Sequence, residues 1–190
     1  MANVPIASTA SLPLPAAAPL SAAANDTRSA IEAEVVALFD QFRERLLRYL
    51  LTFGLAASDA EEVIQDVFLA LFLHLRNGKP RDNLRGWLFR VAHNEALKRR
   101  RRVRALEDLA AGESIAEPSP NPEDQLMSTQ KQQRLLAAFH ALAERDRRCL
   151  WLRAEGLNYR EIASVLDMSL GAVAISLTRS LARLARSVER

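Results

Sequence analysis

Residues 158–185 read NYREIASVLDMSLGAVAISLTRSLARLA, two runs with apolar residues at helical spacing and a break of three or four residues between them. That is the pattern of a helix-turn-helix unit. Ile162, Leu166 and Val173 are spaced to pack the two helices together, and Ala163 is small where they must approach. Asn158 and Glu161 have the spacing of a capping box, by analogy with the Ser/Thr form, and Ser169 can cap the second helix. Asp167 falls at the turn, where a left-handed backbone is expected; Asp tolerates it better than most residues with a Cβ. An ordinary helical hairpin would fit the same pattern. Arg179, Arg183 and Arg186, spaced by four and three, share one face that suits either phosphates or open solvent.

Working back from this stretch, ERDRRCLWLRAE (144–155), stopped at Gly156, and QRLLAAFHAL (133–142) supply two more helices. Three prolines in five residues, Pro118, Pro120 and Pro122, remove donors and disfavour helix, so a linker is expected over 105–130. Before it, a helix from near Leu84 runs without a breaker through GWLFRVAHNEALKRRRR (86–102), its near half anchored by Trp87, Leu88, Val91 and Leu97. Ser58 and Glu61 have the spacing of a capping box for another helix, which NGKP (77–80) ends. Its VFLALFL run (67–73) is apolar all round, which predicts a place at the centre of a bundle. Val35, Leu38, Phe39, Phe42, Leu46, Tyr49 and Leu50 mark a first helix from Ala30 to Leu51. Residues 1–29, rich in Ala, Pro and Ser, read as a flexible tail. The expected fold is all-α: two small helical domains, 30–104 and 131–190, joined by the linker, the second carrying the helix-turn-helix.

The net charge is only +3, but it is laid out in blocks. Residues 30–97 carry eight basic and ten acidic groups, 98–104 six basic, 105–130 six acidic and no basic, and 131–190 eleven basic against six acidic. Six basic residues in seven, from Lys98 to Arg104, repel one another, a density that phosphates would neutralise with release of counterions; a solvated helix end complementing the C-terminal dipole is the plainer alternative. The acidic segment is either a plain linker or a mimic of nucleic acid. One cysteine, Cys149, excludes an internal disulfide. His74, His93 and His140 are scattered, with no HExxH, CxxC, Gly-rich phosphate loop or GxSxG, so neither an enzyme, a metal nor a cofactor is expected. The apolar run Val67 to Leu75 is too short to span a bilayer and no basic residue precedes Arg28, so a cytoplasmic protein is expected without membrane insertion.

In this order, SDAEEVIQDVFLALF (58–72), LRGWLFRVAHNEALKRRRR (84–102) and LAERDRRCLWLRAEGLNYREIASVLDMSLGAVAISLTRSLARL (142–184) resemble regions 2.2, 2.3 with 2.4, and 4 of bacterial RNA polymerase sigma factors of the small extracytoplasmic-function (ECF) type. The resemblance implies a promoter-specificity subunit that binds core RNA polymerase, through the clamp of its largest subunit and its flap, and that recognises and melts promoter DNA. It implies that Glu61, Glu62, Gln65 and Asp66 grip the clamp. The loop with Arg76, Lys79, Arg81 and Asn83, together with Asn94, would capture a flipped base of the −10 element. Lys98, Arg99, Arg100, Arg101, Arg102 and Arg104 would track the backbone beside it, and Ser176, Thr178, Arg179 and Arg183 would face upstream DNA. The linker would thread toward the RNA path, and an anti-sigma factor is a further partner. The chain departs from the family's pattern at Lys98 (usually Asp), at Asp167 (usually Gly), and at Ala172, Ala174, Ile175 and Ser176, where the family has a Thr with nearby Lys, Ser and Arg. Alanines there offer little hydrogen bonding to base edges, leaving shape, phosphates or a protein partner as that helix's targets. Two other readings compete: a sigma-like protein that titrates an anti-sigma factor or polymerase without initiating, and a free-standing helix-turn-helix regulator.

Overall fold

The computed structural model describes residues 20–109 and 130–188, and its regular elements are all α-helices. The first half holds α1 (Leu20–Leu51), α2 (Ala57–Arg76) and α3 (Leu84–Leu109); the second holds α4 (Gln130–His140), α5 (Glu144–Ala154), α6 (Tyr159–Leu166) and α7 (Leu170–Val188). Residues 1–19 of the expected tail and 110–129 of the expected linker lie outside the described residues.

α1 starts ten residues before Ala30. Its opening LSAAAND holds three alanines, the best helix formers, which offset the weaker Ser21, Asn25 and Asp26, and Arg28 pairs with Glu32 one turn on, Nε to Oε1 2.9 Å. α3 likewise continues past Arg104 to Leu109, because no Gly or Pro stands between those two residues. Phe42, Leu46, Tyr49 and Leu50 of α1 are buried against Val63, Ile64, Val67, Phe68 and Leu71 of α2 and Leu88, Phe89, Ala92 and Ala96 of α3. Each large side chain so buried contributes roughly 1.5–3 kcal/mol relative to exposure.

Two expectations for α2 fail. Its N-cap is Ala56, with extended backbone and no side-chain bond, so Ser58 already lies inside the helix and cannot cap it, while Glu61 turns to Arg43 of α1, 2.7 Å away. Nor is α2 enclosed on all sides: Leu69 is 59% exposed and Leu73 38%, since only α1 and α3 cover it and one face is left open.

The helix-turn-helix forms as its residues dictate. Asn158 Oδ1 accepts from the Glu161 amide (3.0 Å) and Glu161 Oε2 from the Asn158 amide (2.5 Å), closing the capping box. Asp167 takes φ 51°, ψ 55°, its amide bonding back to the Ala163 carbonyl, and Ser169 Oγ accepts from the Ala172 amide at 3.1 Å. The chain bends by 104° between α6 and α7, within the range for this motif. α6 packs on α3, and the buried residues of both halves form one continuous cluster from Ile31 to Leu177. No single helix among the described residues is long and apolar enough to cross a membrane.

Candidate nucleic-acid and partner interfaces

The basic block sits on the exposed end of α3, and the helix divides it. Arg99 faces α2, its Nη2 2.7 Å from Asp59 Oδ1 and 2.5 Å from Glu62 Oε2. These two carboxylates raise the Arg99 guanidinium above its ordinary pKa, mainly by hydrogen bonding to its charged form. Arg100 faces the second half and is held fork to fork by Glu144, two contacts of 2.8 Å. The same bond, with Arg148 and Arg147 nearby, pulls the Glu144 carboxyl down to about 2 against its burial. Lys98 reaches back to Glu95 at 2.6 Å. Arg101, Arg102 and Arg104 are exposed, with no carboxylate partner among the described residues.

Asn94, Lys98 and Arg101, spaced by four and three, share a face of α3 and line a groove of about 330 Å³ with Val91, Glu95 and Leu97. The loop residues are placed differently. Arg76 lies over the Phe72 ring, 5.7 Å from its centroid, and Lys79 is exposed. Arg81 pairs with Glu34 at 3.1 Å. Asn83, at φ 56°, accepts from the Gly86 amide through Oδ1 (3.0 Å) and so caps α3. It lines a second cleft, of about 200 Å³, with Trp87 and Arg90 on one side and Glu161 and Ser164 of α6 on the other. Trp87 is half-buried, its ring 4.8 Å from that of His74. The loop and Asn94 thus do not converge on one pocket: Asn94 opens onto the basic groove, Asn83 onto the seam with α6.

Glu61, Glu62, Gln65 and Asp66 are all exposed along α2. Leu69, one turn beyond Gln65 and most of its surface bare, extends that strip with an apolar end; its place in an apolar run had hidden it. On α7, Thr178, Arg179 and Arg183 face solvent, whereas Ser176 does not. It is 7% exposed and donates to Asp146 Oδ1 of α5 at 2.5 Å, so it cannot reach DNA from this fold. Ile175, 60% exposed, stands outward instead, and helical phase alone would have found it.

The halves are held together by further contacts. Arg45 Nε meets Glu155 Oε2 at 2.5 Å and its Nη2 the Glu155 carbonyl at 2.8 Å. Arg148 lies over the Phe53 ring at 4.1 Å. Tyr49 Oη and His93 Nδ1 share a buried hydrogen bond of 2.8 Å beside it. Burial, and then Arg148, push the His93 imidazole down to about 4, while burial drives the Tyr49 hydroxyl well above its ordinary value. Among the described residues no group of three His, Cys, Asp or Glu is placed to hold a metal.

Known proteins share both halves. Residues 38–105 match the family model of sigma-70 region 2 and residues 132–184 that of sigma-70, region 4. The chain is 32% identical over 143 residues to the RNA polymerase sigma factor CnrH of Cupriavidus metallidurans, covering 70% of this chain and 75% of that one. It is 30% identical over 129 residues to the ECF RNA polymerase sigma-E factor of Escherichia coli (K12), covering 62% and 67%. Among solved structures, CnrH in complex with the cytosolic domain of CnrY superposes with a TM-score of 0.58 at 23% identity, over 87% of this chain and 94% of that one. The sigma factor RpoE of Bartonella quintana, in complex with the anti-sigma factor NepR, gives 0.60 at 20% identity, over 80% and 97%. With both regions matched in order and a relative at this identity covered over three quarters of its length, the chain belongs to the sigma-70 family, as a sigma factor of the ECF type.

Proposed function

We propose that this sigma factor is an active promoter-specificity subunit, which binds core polymerase, opens promoter DNA and starts transcription with no catalysis of its own. The observation that carries the reading is the groove of Asn94, Lys98 and Arg101, continued by the exposed Arg102 and Arg104. An amide beside a run of cations, of which Arg101, Arg102 and Arg104 have no carboxylate partner among the described residues, suits an extruded base and the strand it comes from, the backbone contacts offsetting an unstacking cost of a few kcal/mol. Asn83 acts by fixing the start of α3, and Arg76 and Lys79 lie free to meet phosphates. The strip Glu61, Glu62, Gln65, Asp66 and Leu69 docks on the polymerase clamp, and the second half on the flap. Thr178, Arg179 and Arg183 face upstream DNA. An anti-sigma factor is a partner of the same class as the one named for the Bartonella quintana protein.

Run-off transcription from the host's fragmented genomic DNA, with purified core polymerase and this protein and read by sequencing, tests the proposal. Start sites sharing an upstream motif are expected. The rival reading, a sigma-like protein that occupies polymerase or an anti-sigma factor without initiating, is favoured by one observation: Arg99 and Arg100 are both taken up by carboxylates. Co-elution with polymerase and no defined starts would decide for it. Specific duplex binding without polymerase would mark a free-standing regulator.

A further inference from the structure

α7 presents an outward stripe whose chemistry the charge layout does not explain. Gly171, Ile175, Thr178 and Ala182, spaced by four, three and four, are all exposed, while Val173, Ser176, Leu177 and Ser180 on the opposite side are buried. Ala174, Ile175, Thr178, Arg179 and Ala182 line a shallow depression of about 380 Å³. The front of the stripe is open, since a Cβ built at Gly171 would meet nothing within 4 Å. What the stripe offers is methyl groups and one hydroxyl; it has no amide, and its cations stand to one side. Arg179, Arg183 and Arg186 flank it, none with a carboxylate partner among the described residues. The chain has no acidic residue between Asp167 and Glu189.

A methyl-lined face beside three arginines that have no carboxylate partner among the described residues matches one feature of duplex DNA. The major groove, about 12 Å wide, admits a helix, phosphates run along both rims, and the only apolar group on its floor is the C5-methyl of thymine. An acidic protein surface would satisfy the arginines as well, but it would have to supply an apolar strip alongside its line of charge, which the thymine methyls and phosphate rim of the groove already provide. We infer that Ile175, with Ala174 and the Thr178 methyl beside it, reads thymine methyls in the upstream promoter element, while Arg179 and Arg183 hold the flanking phosphates. The inference rests on the sigma reading above and adds to it the base that α7 selects and the residue that selects it.

The test uses the assembled holoenzyme. Promoters found by run-off sequencing supply an upstream element; duplexes carrying it are then made with each thymine in turn replaced by deoxyuridine, which removes the C5-methyl and nothing else. The expected result is an upstream motif containing thymines, at one or two of which deoxyuridine weakens holoenzyme binding about three- to fivefold, the worth of one buried methyl. Ile175→Ala holoenzyme should bind the thymine duplex more weakly and no longer distinguish it from the deoxyuridine one. Because Ile175 is 60% exposed, that variant leaves the core intact, and unchanged transcription from a promoter lacking the upstream element would confirm that it folds. Equal binding of every deoxyuridine duplex by a holoenzyme that does initiate would overturn the inference, leave the sigma reading standing, and assign the apolar stripe to a protein. Absence of defined starts would overturn both.

Discussion

Arg100 and Glu144 meet fork to fork, Nη1 to Oε2 and Nη2 to Oε1 each at 2.8 Å, so that one arginine of the basic block is closed off by a carboxylate from the first turn of α5. The pair is partly exposed, its side chains 26% and 44% accessible, which makes it a weak contributor to stability but an effective competitor for a phosphate.

Glu144→Gln should therefore free Arg100 without unfolding the protein. The variant is expected to bind single-stranded DNA more tightly at low salt, with a log–log salt slope steeper by up to about 0.7, the value for one neutralised phosphate. A filter-binding titration at several salt concentrations reads this out. Identical slopes would mean that Arg100 does not reach DNA even when released.

The rest of the block divides according to its partners. Arg101, Arg102 and Arg104 have no intramolecular carboxylate among the described residues, and replacing all three with Ala should flatten the salt dependence of promoter binding by up to about 0.9 for each phosphate that they neutralise. Arg99→Ala should behave oppositely, since Arg99 ties α3 to Asp59 and Glu62 of α2: the urea midpoint falls and the salt slope of DNA binding stays put. Reversal of these two patterns would show that the division of the block does not survive on DNA.

Asp167 holds a left-handed backbone at φ 51°, a conformation that costs a residue with a Cβ roughly 1–2 kcal/mol. Asp167→Gly should raise stability by about 0.5–1 kcal/mol, part of the relief being offset by glycine's greater unfolded-state entropy. Asp167→Val should lower it, because a β-branched side chain suits that region worst. Chemical denaturation of the three proteins checks the order Gly, Asp, Val.

Local patterns carried much of this fold, and their failures share one cause. The Asn158 box and the Asp167 turn involve residues within a few positions of one another, so spacing was enough to place them. Ser58 and Glu61 have the same spacing, yet Glu61 is drawn to Arg43, eighteen residues away on α1, and the helix starts before Ser58. Ser176 looks like a surface hydroxyl until its partner Asp146, thirty residues earlier, is in place. The basic block was legible as charge, but its division was not, because Glu144 lies 44 residues from Arg100. No helical period records a partner supplied by another element.

The seam between the halves also predicts a response to pH. His93 is 6% exposed, bonded through Nδ1 to Tyr49, with Phe53 edge-on at 5.4 Å and Arg148 of α5 over that same ring. Burial and the Arg148 charge hold its pKa at about 4, against 6.5 for the free side chain. The folded pKa is the lower one, so between about pH 6.5 and 4 the unfolded chain takes up a proton that the folded chain refuses, and stability falls as the solution is acidified. At about 1.4 kcal/mol for each tenfold difference in proton affinity, the loss reaches roughly 3 kcal/mol by pH 4 and then levels off. Glu144 adds nothing to the slope over most of this window: its depressed pKa confers a contribution that is present above about 4.5 and is lost only as the pH falls toward about 2. His93→Gln, which keeps a hydrogen-bonding side chain and cannot titrate, should remove most of the slope between pH 6.5 and 4 in urea denaturation. Arg148→Gln should leave part of it, because burial, the larger cause, remains. A His93→Gln protein that retained the full slope would place the acid-sensitive group elsewhere.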